Sequence, residues 1–206
     1  MENALIFDLD GTLWDSTGLV VPIWNRVLER HKEISFRLTE ELLSSLMGHT
    51  MEELGEILFP ALTKEERDEL MEELGAEEVI YLREYGAVLY PGVEESLKEL
   101  SALYDLFIVS NCQSGYVESF LTAHKMEAYF KDIEMSGNTG LSKGDNIKLL
   151  MERNKLHKAI YIGDTEGDEI ASAFSGIPFV HAAYGFGKAK KPAGRITEIR
   201  ELKALA

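Results

Sequence analysis

Four stretches of the chain are nearly unbroken runs of apolar side chains: residues 4–8 ending in Asp8, 106–110 ending in Ser110, 159–163 ending in Gly163, and 177–180. Short runs of this kind predict strands covered on both faces of a sheet. A weaker strand pattern covers Ile133 to Met135. Between the runs the apolar spacing becomes helical, over residues 92–103 behind Pro91, 115–125, 143–154 and 167–176, the last stopping at Gly176. Strands alternating with single helices predict an α/β fold, a doubly wound and mostly parallel sheet between two helical layers.

Residues 16–88 break that rhythm. The segments 21–31, 39–48, 51–59 and 63–85 all carry helical patterns, and no buried strand pattern lies among them. The chain is therefore expected to hold a core, residues 1–15 and 89–206, with an all-helical second domain inserted at 16–88. The crossings between them fall near Ser16–Val20 and Gly86–Pro91.

Composition narrows the function classes. A hydrophobic content of 45% over 206 residues suffices for one core with a satellite domain. The net charge of −15 argues against nucleic acid or an anionic membrane as partner, since either calls for a basic face. From Asp15 to Tyr85 there are 17 acidic and 7 basic residues, read as solvated helix faces. Cys112 is the single cysteine, so no intrachain disulfide forms and a reducing compartment fits. No apolar stretch approaches the roughly 20 residues of a membrane span, and no secretory-signal pattern opens the chain. The expected location is the cytoplasm.

The candidate chemistry sits where strands end, which is where doubly wound sheets collect ligands. The first strand runs into Asp8-Leu9-Asp10-Gly11, the run 106–110 into Ser110-Asn111, and the run 159–163 into Gly163-Asp164 with Asp168 one helical turn on. Ser142-Lys143 opens the helix between. Extended geometry would turn Asp8 and Asp10 the same way, with Asp164 as a third carboxylate in one small volume. Like charges at that range resist ionisation unless a cation compensates, and oxygen-only donors favour a hard ion, Mg²⁺. Lys143 and Ser110 suit a phosphate group.

These motifs in this order, "DLDGT", "SN", an isolated lysine and "GDTEGD", resemble the haloacid dehalogenase-like hydrolases over essentially the whole chain. The helical insert is similar to the cap of the branch containing phosphoglycolate phosphatases and β-phosphoglucomutases. The resemblance implies that Asp8 attacks phosphorus and becomes an aspartyl phosphate, and that Asp10 protonates the leaving alcohol and then activates water. It implies that Asp8, the Asp10 backbone carbonyl and Asp164 ligate Mg²⁺, with Asp168 supporting the ion's water shell. Ser110, Lys143 and backbone N–H groups near Asp8 and Asn111 would hold the phosphoryl oxygens. The implied function is hydrolysis of a small phosphorylated metabolite, by a monomer or weak homodimer. A sugar-phosphate mutase is the alternative, and Thr12 argues against it because the resembled mutases tend to carry an aliphatic residue there. A phospho-accepting signalling domain would be shorter and lack the insert.

Other residues carry milder expectations. His49 stands where relatives frequently have arginine or lysine facing the substrate, which makes it a candidate substrate contact. Asp15 reads as a turn or capping residue, Cys112 as an inert thiol, and Trp14 as packing at the hinge.

Overall fold

The computed structural model describes residues 4–205. It opens with β1 (Ala4–Phe7), β2 (Trp14–Asp15), α1 (Thr17–Leu28), α2 (Glu40–Ser45), α3 (Met51–Leu58), α4 (Lys64–Tyr85) and β3 (Val88–Leu89). It continues through α5 (Val93–Ser101), β4 (Asp105–Ser110), α6 (Tyr116–His124), β5 (Phe130–Met135), α7 (Ser136–Thr139) and α8 (Lys143–Arg153). β6 (Ala159–Gly163), α9 (Glu166–Ser175), β7 (Phe179–Ala182), β8 (Gly194–Ile196) and α10 (Leu202–Leu205) complete it. Among the described residues no helix is long and apolar enough to cross a membrane.

The main sheet is parallel throughout, in the order β5-β4-β1-β6-β7-β8. β1 is buried at all four positions and pairs with β4 on one side and β6 on the other. The chain thus winds outward in both directions from β1, and the crevice beyond its carboxyl end is the place for a ligand. Each face is sealed by apolar side chains: Phe7, Ile108 and Ile162 belong to one buried cluster, Ile6, Phe107 and Tyr161 to the other. The expected α/β core with an all-helical insert is the fold observed.

The crossing between core and insert is better ordered than a linker. Trp14 and Asp15 pair antiparallel with Leu89 and Val88. Trp14 is fully buried, edge-on to Tyr116, Phe120 and His124. Residues 17–20, expected as a hinge, are the first turns of α1, where Asp15 Oδ1 accepts from the Thr17 N–H and hydroxyl. The sequence pattern starts this helix at Val21. The structure instead carries Pro22 inside the helix. β8 and the β2–β3 ribbon are too short to show a period in the sequence.

In the insert, α3 and α4 each start on a capping box, Thr50 with Glu53 and Thr63 with Glu66. The buried side of α4 is formed by Leu70, Met71, Leu74, Gly75, Glu78 and Leu82, so one glutamate falls within an otherwise apolar stripe.

Candidate active site

β1 delivers Asp8 at its carboxyl end, where it is 3% exposed. β6 delivers Asp164, and α9 brings Asp168 back beneath it, both fully buried. One carboxylate oxygen from each lies within 4.8 Å of the others. The convergent set is therefore Asp8, Asp164 and Asp168. Asp10 does not join it as simple strand alternation would have it, because regular pairing in β1 stops at Phe7 and the next residues wind into a turn closed on the Leu9 carbonyl. Oδ1 of Asp10 accepts instead from the Ser16 hydroxyl at 2.6 Å and the Tyr116 hydroxyl at 2.9 Å. The Tyr116 hydroxyl oxygen also lies 2.9 Å from Ser16 Oγ, closing a triangle.

Lys143, the first residue of α8, is 6% exposed and donates to Asp8 Oδ1 at 2.9 Å and Asp168 Oδ1 at 2.6 Å. Burial opposes its charge, but the Asp168 and Asp8 carboxylates outweigh that and hold its pKa above the ordinary lysine value. Asp168 spends its other oxygen on the backbone N–H groups of Asp164 and Thr165 and on the Thr165 hydroxyl. Both of its oxygens are thus engaged, one capping α9 and one fixing the lysine.

Asp164 differs. Its Oδ2 accepts from the N–H groups of Phe186 and Gly187 at 2.7 and 3.1 Å, while Oδ1 is buried with no hydrogen-bond partner among the described residues. Leaving a buried carboxylate oxygen unmatched costs on the order of 1–3 kcal/mol. Two glycines keep its surroundings open. A Cβ on Gly11, whose φ is +80°, would lie 2.3 Å from Asp164 Oδ2, and one on Gly185 would lie 2.5 Å from Asp164 Cβ.

The acids are under electrostatic load. Burial pushes Asp8 well above the usual carboxylate range; Asp168 and Asp164 add to this and Lys143 opposes it. Burial lifts Asp10 to about 6 against the hydrogen bonds from Ser16 and Tyr116, and lifts Asp164 to about 7 with Asp168 contributing. A divalent cation would relieve all three. The unmatched Asp164 oxygen, the neighbouring Asp8 carboxylate and the all-oxygen donor set fit a hard ion such as Mg²⁺.

Asp8, Asp10, Ser110, Asn111, Lys143 and His49 all line one cavity between core and insert, with about 60 Å³ open to a water-sized molecule. The Asn111 side chain is committed elsewhere: it donates to the Gly48 carbonyl of the insert at 2.7 Å and accepts from Ser136. It ties insert to core, so any hold on phosphate by this residue comes from its backbone. His49 is exposed, with Nδ1 on the Leu46 carbonyl at 2.9 Å. Cys112 lines the same cavity, and burial raises its thiol pKa well above the ordinary value. His181, buried on β7, bonds the Asp164 carbonyl at 3.0 Å. A larger groove of about 700 Å³ lies between α3 and α4 and the Gln113–Gly137 edge; it holds none of the aspartates but shares Met51 and Gln113 with the site.

Sequence reasoning missed Ser16, Tyr116, the Gly185–Gly187 backbone and Glu78. The last had a legible signal, a carboxylate in an apolar helical stripe. The others had none: Ser16 stands just past the first motif but, like Tyr116, reveals its partner only once the chain is folded.

The chain matches the haloacid dehalogenase-like hydrolase family over residues 5–182. It is 26% identical over 219 residues to the phosphoglycolate phosphatase of Pseudomonas syringae pv. syringae, covering 98% of this chain and 79% of the relative. To that of Rhodobacter capsulatus it is 26% identical over 193 residues, covering 91% and 87%. A haloacid dehalogenase-like family hydrolase from Streptococcus pneumoniae superposes with a TM-score of 0.82 at 23% identity, covering 99% of this chain and 98% of that one. CbbY from Rhodobacter sphaeroides, solved in complex with phosphate, gives 0.78 at 19% identity, covering 98% and 96%. The structural likenesses establish a shared fold; together with the sequence match across both halves of the aspartate site, they place this chain in the haloacid dehalogenase-like hydrolase family.

Proposed function

We propose that this protein is a Mg²⁺-dependent phosphomonoesterase acting on a small phosphorylated metabolite through an aspartyl-phosphate intermediate. The observation that carries the reading is the buried Asp8–Lys143–Asp168 chain beside the unmatched Asp164 oxygen. It gathers a carboxylate suited to nucleophilic attack, a fixed cation and an unmatched acceptor around one point, which supports the reading.

Asp8 attacks phosphorus with a carboxylate oxygen, the ester oxygen leaves, and an acyl phosphate forms on Asp8. Asp10 gives its proton to the departing alkoxide. A carboxyl near 6 is a better proton donor at neutral pH than an ordinary aspartate, because more of it is protonated. Asp10, now ionised and steadied by Ser16 and Tyr116, takes a proton from water as the water cleaves the acyl phosphate. Lys143 and the Ser110 hydroxyl hold phosphoryl oxygens, and Asp168 holds Lys143 in place. Asp8, the Asp10 carbonyl and Asp164 would hold Mg²⁺, which supplies positive charge against the phosphoryl and Asp8 oxygens. The insert, residues 16–88, acts as a cap that opens to admit substrate and closes to exclude water, since Asp8 and Lys143 lie buried in the cavity it covers. Phosphoglycolate phosphatase is the name carried by the relatives cited above, which makes phosphoglycolate a natural member of the assay panel.

The test is a panel of phosphate esters with Mg²⁺ and with chelator, using wild type and Asp8→Asn. Mg²⁺-dependent release of phosphate that vanishes in the variant is expected. Turnover that persists in Asp8→Asn would remove the nucleophile assignment.

A further inference from the structure

The cap contributes one group that the hydrolytic steps do not use. Glu78, on α4, is 4% exposed and lines the cavity with Asp8 and Asp10. Both protein donors that reach it, Trp24 Nε1 at 3.1 Å and Gln113 Nε2 at 3.0 Å, bond the same oxygen, Oε2. Oε1 receives no hydrogen bond from the described residues, and it is not among the buried polar atoms sealed off without a partner. A purely structural acceptor for Trp24 and Gln113 needs only one oxygen, which an amide would supply without a carboxylate's desolvation cost. The spare oxygen is the feature to explain.

The rest of the cavity limits what can meet it. Val20, Trp24, Leu43, Met47, Met51 and Leu54 give apolar walls, and Lys143, already paired with Asp8 and Asp168, is the one lysine or arginine among the described residues of the lining. A carboxylate on the far end of a substrate would therefore be buried beside Asp10 and Glu78 with no lysine or arginine on the cap to receive it, a costly arrangement. His49, the cap's one histidine in the lining, is exposed and bonded to the Leu46 carbonyl. A hydroxyl has no such conflict. It donates to Oε1 when Glu78 is ionised and accepts from it when Glu78 is protonated.

We infer that Glu78 is a specificity-determining residue that hydrogen-bonds a hydroxyl on the alcohol half of the ester, so that the substrate class is a hydroxyl-bearing phosphomonoester, a polyol or sugar phosphate, and not a carboxylate-bearing one. This inference rests on the phosphatase reading and gives it a substrate class. Burial lifts Glu78 to about 8, with the Asp10 charge adding, so its neutral form is well populated at pH 7, and the hydroxyl suits both states.

The experiment compares kcat/KM for glycerol 3-phosphate and 2-phosphoglycolate in wild type, Glu78→Leu and Glu78→Gln, each checked for folding by circular dichroism. Wild type is expected to favour glycerol 3-phosphate by about tenfold or more, a preference retained by Glu78→Gln and lost in Glu78→Leu. A merely structural role would slow both esters together and leave the ratio unmoved. An unchanged ratio in Glu78→Leu, or a wild type that prefers 2-phosphoglycolate, overturns the inference. Should wild type hydrolyse neither these two nor any other ester of the panel, the phosphatase reading falls, and calorimetric binding of the same two esters decides this one. Tighter binding of glycerol 3-phosphate that is lost in Glu78→Leu supports it; equal binding overturns it.

Discussion

Replacing Glu78 with glutamine keeps the side chain's size and an oxygen for Trp24 and Gln113, but removes the group that titrates. In the folded protein burial is the main cause lifting that carboxyl from 4.5 to about 8, with Asp10 adding and the Trp24 and Gln113 donors opposing. In the unfolded chain it ionises near its ordinary value. Between those limits the native state holds a proton that the unfolded state has released, so stability is highest below about 4.5, falls as pH rises, and levels off above about 8. Each pH unit inside the window costs about 1.4 kcal/mol, which makes the handicap about 3 kcal/mol at pH 7. Against a total stability of about 5–15 kcal/mol this is large. Glutamine carries no such handicap. Urea unfolding of wild type and Glu78→Gln in chelator, from about pH 5 to about pH 8, should therefore show the variant gaining on wild type by about 3 kcal/mol across the range. Lost packing would appear as an offset common to every pH, whereas the slope reports the titration alone. A difference that stays flat with pH would refute the claim that Glu78 is held protonated in the fold.

Three further outcomes follow from the aspartate site. Mg²⁺ should raise the melting temperature of wild type by mass action and leave Asp164→Asn unmoved, read by differential scanning fluorimetry without substrate. Tyr116→Phe removes one of the two hydroxyls that favour ionised Asp10, so the Asp10 pKa should rise and the alkaline limb of the kcat/KM profile should move up by about one pH unit. Gly11→Ala places a methyl group 2.3 Å from Asp164 Oδ2 at a φ of +80°, and should abolish Mg²⁺-induced stabilisation together with turnover.

The sequence by itself determined the layers and the chemical inventory. Buried parallel strands must be apolar on both faces, so β1, β4 and β6 show as uninterrupted runs, and the polar residue that ends each run marks the ligand edge of the sheet. That reasoning located Asp8, Ser110 and Asp164 without coordinates. What only the tertiary structure decided is which of these groups touch. Asp10 left the carboxylate cluster because the chain turns after Phe7, and Asp168 entered it because α9 folds back over β6. The Asn111 side chain reached across to Gly48 of the insert, and Tyr116 reached Asp10 from 106 residues away. Periodicity encodes which side of an element is buried, but a hydrogen bond between distant elements depends on how those elements pack, and no local pattern carries that. Glu78 lies between the two cases: its place in an apolar stripe was written in α4, while the oxygen it leaves for a ligand became visible only when Trp24 and Gln113 were seen on the other one.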